Sequence, residues 1–347
     1  MTDDLFYRLE GVFYINSYER VMAIINGDEY DRVANVALVM LFAANQIGVP
    51  YGEYVRDYKK LTAGVLYCYE KFGLDTICVV SDPMREAEGF GANVIIEPDN
   101  VPHSQDKLIK QITDIKKLKV GDPSKSYAMN DRLMAVRFLS ERVGLDAPII
   151  GWVEGAVAEA CDLMDMSSFM MNLIDEPDAM QELLDICVEQ AILFAKAQID
   201  AGANIIGVGD AAASLIGPYL YEEFALPCQQ KIIKAIKDYG AKTKLHICGN
   251  LNPVLDLVSK TGADIVDIDY MVDMQKACEH LDMVVCGNYD PVTVLLQGNT
   301  ELVQKEVMRC LEFSKQHRIM VSAGCEVPKF TPVDNMLTVR DIVNNFR

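Results

Sequence analysis

The chain has 347 residues, of which half are hydrophobic and 24% are charged, and its formal net charge at pH 7 is −19. This charge disfavours a nucleic-acid partner, because phosphate binding needs a basic face, and like-charge repulsion should keep the chain away from anionic membranes. The longest apolar run, residues 36–44, is too short to span a bilayer, so we expect a globular protein with no membrane segment.

Cysteine usage and the first residues both predict a cytoplasmic protein. The ten cysteines are spread along the chain, mostly in apolar segments, as is usual for reduced, buried thiols rather than for a disulfide framework. Residues 1–21 are acidic and lack the basic start and the apolar core of a signal peptide.

Eight short and almost continuously apolar runs alternate with segments of helical periodicity. Such runs are typical of strands that are buried on both faces of a parallel sheet. Eight strands with helical crossovers fit an α/β fold of the (β/α)8 TIM-barrel type better than a doubly wound open sheet, and no GxGxxG motif follows the first run. The predicted strands are residues 35–41, 75–82, 148–153, 204–210, 244–249, 264–269, 283–288 and 319–324.

The segments between these runs predict helices and one insertion. Residues 89–132 begin with a strand-like stretch and continue as polar, lysine-rich chain, which indicates an insertion after the second strand. No linker rich in proline, glycine or serine divides the sequence, so we expect a single domain over residues 1–347 with an N-terminal helical extension. Helical periodicity is clearest in residues 180–200, 222–240, 252–260 and 300–317.

Polar side chains gather where the predicted strands end. Active sites of (β/α)8 barrels lie at the C-terminal ends of the strands, so this grouping is the main indication of a functional site. The residues at these ends are Ser81, Asp82, Glu154, Asp210, His246, Cys248, Asp267, Asp269, Asn288, Asp290 and Cys325.

One pair among them suggests a metal site. His246 and Cys248 are two residues apart on a predicted strand, so both side chains point to the same face. Zinc binds imidazole and thiolate, and a catalytic zinc takes three protein ligands and keeps one open position. Cys325, just past the last strand, lies on the same edge and is the candidate third ligand. A core histidine beside a small buried thiol is the alternative interpretation.

Several longer motifs are spread over nearly the whole chain: SDPMREAEGFGANV, GWVEGAVAEACDL, LHICGNLNPVLD, GNYDP and GCEVPKFTPVDN. Through these motifs the sequence resembles the uroporphyrinogen decarboxylase superfamily, and within it the zinc-dependent methyltransferases of corrinoid pathways. The resemblance implies that His246, Cys248 and Cys325 bind a catalytic Zn2+. It also implies methyl transfer between methylcobalamin or cob(I)alamin, supplied by a corrinoid-binding partner protein, and a small molecule. That molecule is a thiol acceptor such as coenzyme M or a methyl donor such as an aryl methyl ether.

Three acidic residues are further candidates for catalytic roles. Glu154 matches a glutamate of the relatives and is expected either at the fourth position of zinc or as a general base, with a hydrogen-bonded turn as the alternative. Asp82 matches the aspartate that contacts pyrrole nitrogens in decarboxylases, although a helix-capping role fits it equally. Asp210 is expected to orient His246 or to cap the helix that follows it. Coenzyme M enzymes need a cationic site for the sulfonate, and Arg85 is the one basic residue placed near this edge. The alternative, which we favour, is that Arg85 is an exposed helix charge.

Two other functions remain open. A decarboxylase acting on a tetrapyrrole is the first, but decarboxylases carry an arginine-rich segment near the first strand, and here no arginine lies between Arg32 and Arg56. A catalytically inactive zinc- or corrinoid-binding protein is the second. The presence of all three candidate metal ligands argues against it.

Overall fold

The computed structural model describes residues 8–9, 12–13 and 15–346, and these form a (β/α)8 barrel with helices around a parallel sheet. In chain order the strands are β1 (Arg8–Leu9), β2 (Val12–Phe13), β3 (Ala34–Asn35), β4 (Ile77–Cys78), β5 (Val94–Ile95), β6 (His103–Ser104), β7 (Ile149–Glu154), β8 (Ile205–Gly209), β9 (Lys242–His246), β10 (Ile265–Asp267), β11 (Val284–Cys286) and β12 (Ile319–Val321).

Eight of these strands form one curled sheet in the order β3-β12-β11-β10-β9-β8-β7-β4, and every neighbouring pair is parallel. The two end strands approach each other where the amide of Asp75 donates to the carbonyl of Asn35 at 2.8 Å. The predicted (β/α)8 fold is therefore confirmed, and each predicted run overlaps one strand, with β3, β7 and β9 reaching one or two residues outside their runs. Several runs extend beyond their strands, because the residues that follow stay buried in loops and helix starts.

Helices connect the strands and cover the outside of the barrel. No helix among residues 15–346 is long and apolar enough to cross a membrane. The α-helices are α1 (Ser17–Asn26), α2 (Met40–Gln46), α3 (Tyr51–Tyr54), α4 (Tyr58–Phe72), α5 (Met84–Phe90), α6 (Tyr127–Val143), α7 (Ala156–Leu163), α8 (Met166–Asp175), α9 (Pro177–Asp200), α10 (Gly217–Leu220), α11 (Leu226–Asp238), α12 (Leu255–Val258), α13 (Met274–His280), α14 (Thr300–Glu312) and α15 (Val333–Asn345).

Local sequence signals set the ends of α1, the helix before the first barrel strand. Asn16 accepts a hydrogen bond from the Glu19 amide, and the Glu19 carboxylate accepts one from the Asn16 amide, which together form a capping box. Gly27 ends the helix with φ of 79°, a left-handed conformation that glycine adopts without a steric penalty.

The apolar face of α1 closes the N-terminal end of the barrel. Val21 and Ile24 are fully buried and belong to the same cluster as the inward-facing strand residues Ile150, Trp152 and Met320. Because one end is filled by α1, the functional side chains are left to the opposite end, where the strands finish. The fold thereby sets which residues of each strand can meet a ligand.

The region predicted as an insertion contains its own small elements. Strands β5 and β6 pair antiparallel, and a 3-10 helix covers residues 112–117. The predicted end at residue 132 lies inside α6. The helical extension at the N-terminus corresponds in part to α1, but β1 and β2 before it pair as antiparallel strands rather than helix. Residues 1–7, 10, 11 and 14 lie outside the described residues, and the expectation of a single domain stays a prediction.

The Trp152 ring lies so close to the neighbouring strand β8 that positions 207 and 209 require glycine. A Cβ atom at Gly207 would overlap Cε3 of the Trp152 ring, and one at Gly209 would lie 2.8 Å from the indole nitrogen. We expect Gly207→Ala to lower the free energy of unfolding by about 1–3 kcal/mol, as overpacking of a core does. Urea unfolding would measure this loss. Combining Gly207→Ala with Trp152→Phe should cost less than the sum of the two single changes, and strict additivity would contradict the proposed overlap.

Candidate metal centre

Three side chains meet at the C-terminal end of the barrel, as the sequence predicts. Nε2 of His246 lies 3.0 Å from Sγ of Cys248, which lies 3.5 Å from Sγ of Cys325. All three potential ligand atoms are within 4.8 Å of one another. His246 is the last residue of β9, Cys248 follows it by two residues, and Cys325 lies in the loop after β12. His246 is buried, and the two thiols are partly exposed.

This geometry fits a zinc ion. A tetrahedral zinc with Zn–S of about 2.3 Å and Zn–N of about 2.0–2.1 Å separates two sulfur ligands by about 3.8 Å and a sulfur from a nitrogen by about 3.6 Å. The observed separations of 3.5 Å between the sulfurs and 3.0 Å between nitrogen and sulfur are shorter by about 0.3 and 0.6 Å, so side-chain rotations would admit the ion. One imidazole and two thiolates are a donor set that zinc favours.

A carboxylate on the neighbouring strand holds the His246 ring. Asp267 pairs with His246 in the register of β9 and β10, and its Oδ2 lies 3.0 Å from Nδ1 of His246. This contact leaves Nε2 to face the two thiols. The same Asp267 oxygen lies 2.7 Å from Nζ of Lys244, a lysine that is 1% exposed. A buried histidine, aspartate and lysine therefore form one row behind the candidate ligands.

In the metal-free protein, the charged forms of Lys244, Asp267 and His246 stabilise one another. Burial alone would raise the pKa of Asp267, but Lys244 and His246 outweigh it and lower the pKa to about 2. Burial would lower the pKa of His246, whereas the hydrogen bonds that the ring makes with Asp267 and Cys325 raise it to about 9. The hydrogen bond from Cys248 lowers the pKa of Cys325 to about 4, and the same contact raises the pKa of Cys248. One thiol thus stabilises the other as a thiolate.

The orienting role of Asp267 predicts a loss of metal affinity when its charge is removed. We expect Asp267→Asn to weaken zinc binding by about 10–100-fold, the usual effect of removing the partner of a metal-bound histidine. Competition with a chromophoric chelator would measure the affinity. Asp210→Asn is the matched control and should leave it unchanged, and an equal loss in the two variants would contradict the assignment.

The structure corrects the expectation for Asp210. Its carboxylate does not reach His246, because it accepts hydrogen bonds from the amide of Ala158 at 2.9 Å and from Gln229 at 2.8 Å. Asp210 therefore caps the preceding helix α7 rather than the following one. A side chain at Gly155 would overlap the Asp210 carboxylate, so this close approach requires glycine in the GWVEG motif.

Arg85 also differs from expectation, since it is buried rather than exposed. The residue is 1% exposed, and its Nη2 lies 2.8 Å from Oε1 of Glu154, while its Nε lies 3.5 Å from Oε2 of Glu86. The amphipathic pattern of a short helix gave no sign of this pairing. Nε and Nη1 of Arg85 have no hydrogen-bond partner among the described residues.

Glu154 lies at the level of the candidate metal ligands but not among them. In the sheet register it pairs with Gly209, which pairs with His246, so two strand spacings, or about 10 Å, separate the backbones of Glu154 and His246. Its carboxylate binds Arg85, and burial raises the pKa of Glu154 well above its usual range. The roles of fourth zinc ligand and general base both stay predictions.

Asp82 serves as a cap in the structure. Its Oδ1 accepts a hydrogen bond from the amide of Met84 at 3.0 Å, at the start of α5, and its other oxygen accepts one from the Ser81 hydroxyl at 2.6 Å. The residue is only 6% exposed. The capping alternative therefore describes its contacts, and a catalytic role for Asp82 stays a prediction.

Sequence reasoning missed the roles of Asp267, Lys244 and Trp152. The Trp152 ring packs beside His246 with ring centroids 5.7 Å apart, below the candidate metal centre. Strand alternation was the available signal for Lys244, since residues 244 and 246 of one strand must face the same side. A charged side chain two residues before a candidate ligand thus points into the barrel.

A family model shows where this chain belongs. The model described as uroporphyrinogen decarboxylase matches residues 16–346. The chain belongs to the uroporphyrinogen decarboxylase family. This membership confirms the resemblance noted from the sequence motifs, and it agrees with the barrel and with the end of the barrel at which the polar residues gather.

Relatives within the uroporphyrinogen decarboxylase family fall into two groups. A methylcobamide:CoM methyltransferase of Methanosarcina acetivorans is 29% identical over 345 residues, covering 95% of this chain and 98% of the relative. A uroporphyrinogen decarboxylase of Prochlorococcus marinus is 27% identical over 280 residues, covering 78% of this chain and 79% of the relative. A solved methyltransferase structure from Methanosarcina mazei has a TM-score of 0.87 at 24% identity, covering 94% and 99% of the two chains, and supports the fold.

Proposed function

We propose that this chain is a zinc-dependent methyltransferase that moves a methyl group between a corrinoid carried by a partner protein and a small substrate. The observation that carries the proposal is the convergence of His246, Cys248 and Cys325 at the functional end of the barrel. The full-length similarity to a methylcobamide:CoM methyltransferase supports the reaction class.

The protein's own residues would prepare the site for this reaction. His246, Cys248 and Cys325 would hold the zinc, and Asp267 would fix the His246 ring through Nδ1. When bound, zinc supplies the Lewis acidity that keeps a coordinated thiol deprotonated at neutral pH. Trp152 fills the space below the ligands, which limits a substrate to approach from the open end of the barrel.

With a thiol as acceptor, the transfer must also release a proton. The thiol sulfur forms a bond to the methyl carbon, the cobalt–carbon bond breaks with its electron pair left on cobalt, and the products are a methyl thioether, cob(I)alamin and one proton. Glu154 is the last residue of β7 and Asp82 lies in the segment after β4, both at this end of the barrel, and they are the candidate proton acceptors. In the opposite direction, a methyl donor gives its methyl group to cob(I)alamin.

The two alternative functions have less support. A tetrapyrrole decarboxylase has no need of the three converging ligands, although decarboxylases are among the relatives. An inactive binding protein would have no need to keep the carboxylate that orients His246. Both alternatives predict no change in a corrinoid spectrum when a methyl donor or a thiol is added.

The test is spectroscopic. Purified protein loaded with one equivalent of zinc would be mixed with methylcobalamin and candidate thiols, and separately with cob(I)alamin and methoxyarenes, while the corrinoid absorbance is followed. Conversion of one corrinoid form into the other, lost in His246→Ala, is the expected result. Absence of conversion in every combination, with zinc bound, would overturn the proposed function.

A further inference from the structure

The loops at the open end of the barrel are strongly acidic. We define these mouth loops as the segments between each barrel strand and the next α-helix: residues 36–39, 79–83, 155, 210–216, 247–254, 268–273, 287–299 and 322–332. They contain one basic residue, Lys329, against six acidic residues. The acidic residues are Asp82, Asp210, Asp269, Asp273, Asp290 and Glu326.

The cations that do lie at this end already have partners. Nζ of Lys329 is 2.8 Å from the Asp99 carboxylate. Arg85, just beyond the second mouth loop, is bound to Glu154, and Lys244 inside the barrel is bound to Asp267. Each of these positive charges therefore faces a carboxylate before any substrate arrives, and among the described residues Arg85 is hydrogen-bonded through Nη2 alone.

Four of the six lysines of the insertion have partners of their own, and the other two, Lys116 and Lys119, are exposed to solvent. Lys107 donates from Nζ to the carbonyl oxygens of Cys161 and Asp162 at 3.2 and 3.0 Å. Lys110, Lys117 and Lys125 are about 70–80% exposed on their side chains and pair with aspartates three or four residues away in sequence. Exposed pairs of this kind are screened by solvent and would give little help to an anion inside the barrel.

We propose, on the basis of the function proposed above, that the substrate which meets the metal centre carries no negative charge near its reacting sulfur or oxygen. An anionic head group entering the barrel would lose its hydration and would find every buried cation of the described mouth already paired with a carboxylate. Burial of a charge without such a partner is strongly unfavourable. The substrate class is thus neutral or cationic, in contrast to the sulfonate of coenzyme M.

Three thiols of equal length test this inference. The cobalt(II)-substituted protein would be titrated with 2-mercaptoethanol, 2-aminoethanethiol and 2-mercaptoethanesulfonate, and the sulfur-to-cobalt absorbance would report binding of each thiol. We expect the sulfonate to bind at least tenfold more weakly than the neutral thiol. Sulfonate binding that is equal or tighter would overturn the inference and leave the methyltransferase proposal standing.

A variant of Glu154 provides a second test, because the inference predicts the direction in which its affinity for the sulfonate changes. Glu154→Gln removes the nearest carboxylate from Arg85 and should raise the affinity for the sulfonate, relative to the affinity for 2-mercaptoethanol, by about tenfold or more. Glu312→Gln, an exposed change on α14, is the matched control and should alter neither. An unchanged sulfonate affinity in Glu154→Gln would contradict the role given to the Arg85 pairing.

A failure of the proposed methyltransferase function would give a different result in the same cobalt titration. If none of the three thiols changed the cobalt spectrum while the metal stayed bound, thiol activation at this centre would be excluded and the inference would fall with it. Tight sulfonate binding, by contrast, would refute only the charge preference. The two failures are therefore distinguished within one titration series.

Discussion

Replacing Cys325 by serine is expected to remove most of the zinc from the purified protein and to abolish methyl transfer. Loss of a direct ligand should reduce zinc affinity by more than the about 10–100-fold that accompanies loss of a partner behind a ligand. Cys325 is also the thiol whose pKa is lowered, to about 4, by its hydrogen bond from Cys248, so it is prepared to bind a cation as a thiolate. Metal analysis of the purified variant would measure the effect.

The control for this change is a buried cysteine away from the candidate ligands. Cys278→Ser, on α13, should keep its zinc and its activity. Far-ultraviolet circular dichroism of the Cys325→Ser protein should match that of the parent chain, which separates loss of metal from loss of fold. Full zinc occupancy in Cys325→Ser would refute the assignment of this ligand.

Replacing Arg85 by methionine is expected to lower the free energy of unfolding by about 3–5 kcal/mol, the range found when one partner of a buried ion pair is removed. The reason is that Glu154 and Glu86 would remain in the interior without the guanidinium that faces them. Urea unfolding at pH 7 would measure the change.

Two further variants decide whether the pairing causes this loss. Arg137→Met changes an exposed arginine on α6 and should stay within about 0.5 kcal/mol of the parent protein. The double variant Arg85→Met with Glu154→Gln should lose less stability than Arg85→Met alone, because one uncompensated acid is removed with its partner. A single-variant loss as small as that of Arg137→Met would contradict the buried pairing.

The strands and the three candidate ligands could be predicted because their signals are local. Continuous apolar runs mark strands buried on both faces, and in a parallel barrel all their C-terminal ends meet at one end. His246 and Cys248 follow from one such run, and Cys325 follows from another. In the structure the three side chains meet, and their role as metal ligands stays a prediction.

The partners of these residues could not be predicted in the same way. Asp267 rather than Asp210 contacts His246 because of the register between β9 and β10, and the sequence of one strand does not specify that register. Arg85 lies on a seven-residue helix, too short for a clear amphipathic pattern, and its burial depends on two acids, one of them 69 residues away in sequence. Long-range charge pairing of this kind is visible only in three dimensions.

The distribution of cysteines allows the metal occupancy of the protein to be measured by thiol alkylation. Eight of the ten thiols are buried, and the two that are partly exposed are Cys248 and Cys325. A mild alkylating reagent reacts with accessible thiolates, so it should modify the metal-free protein at these positions and leave the zinc-loaded protein almost untouched. Mass spectrometry of the labelled chain would then give the fraction of molecules whose metal site is empty. This measurement needs neither a substrate nor a corrinoid.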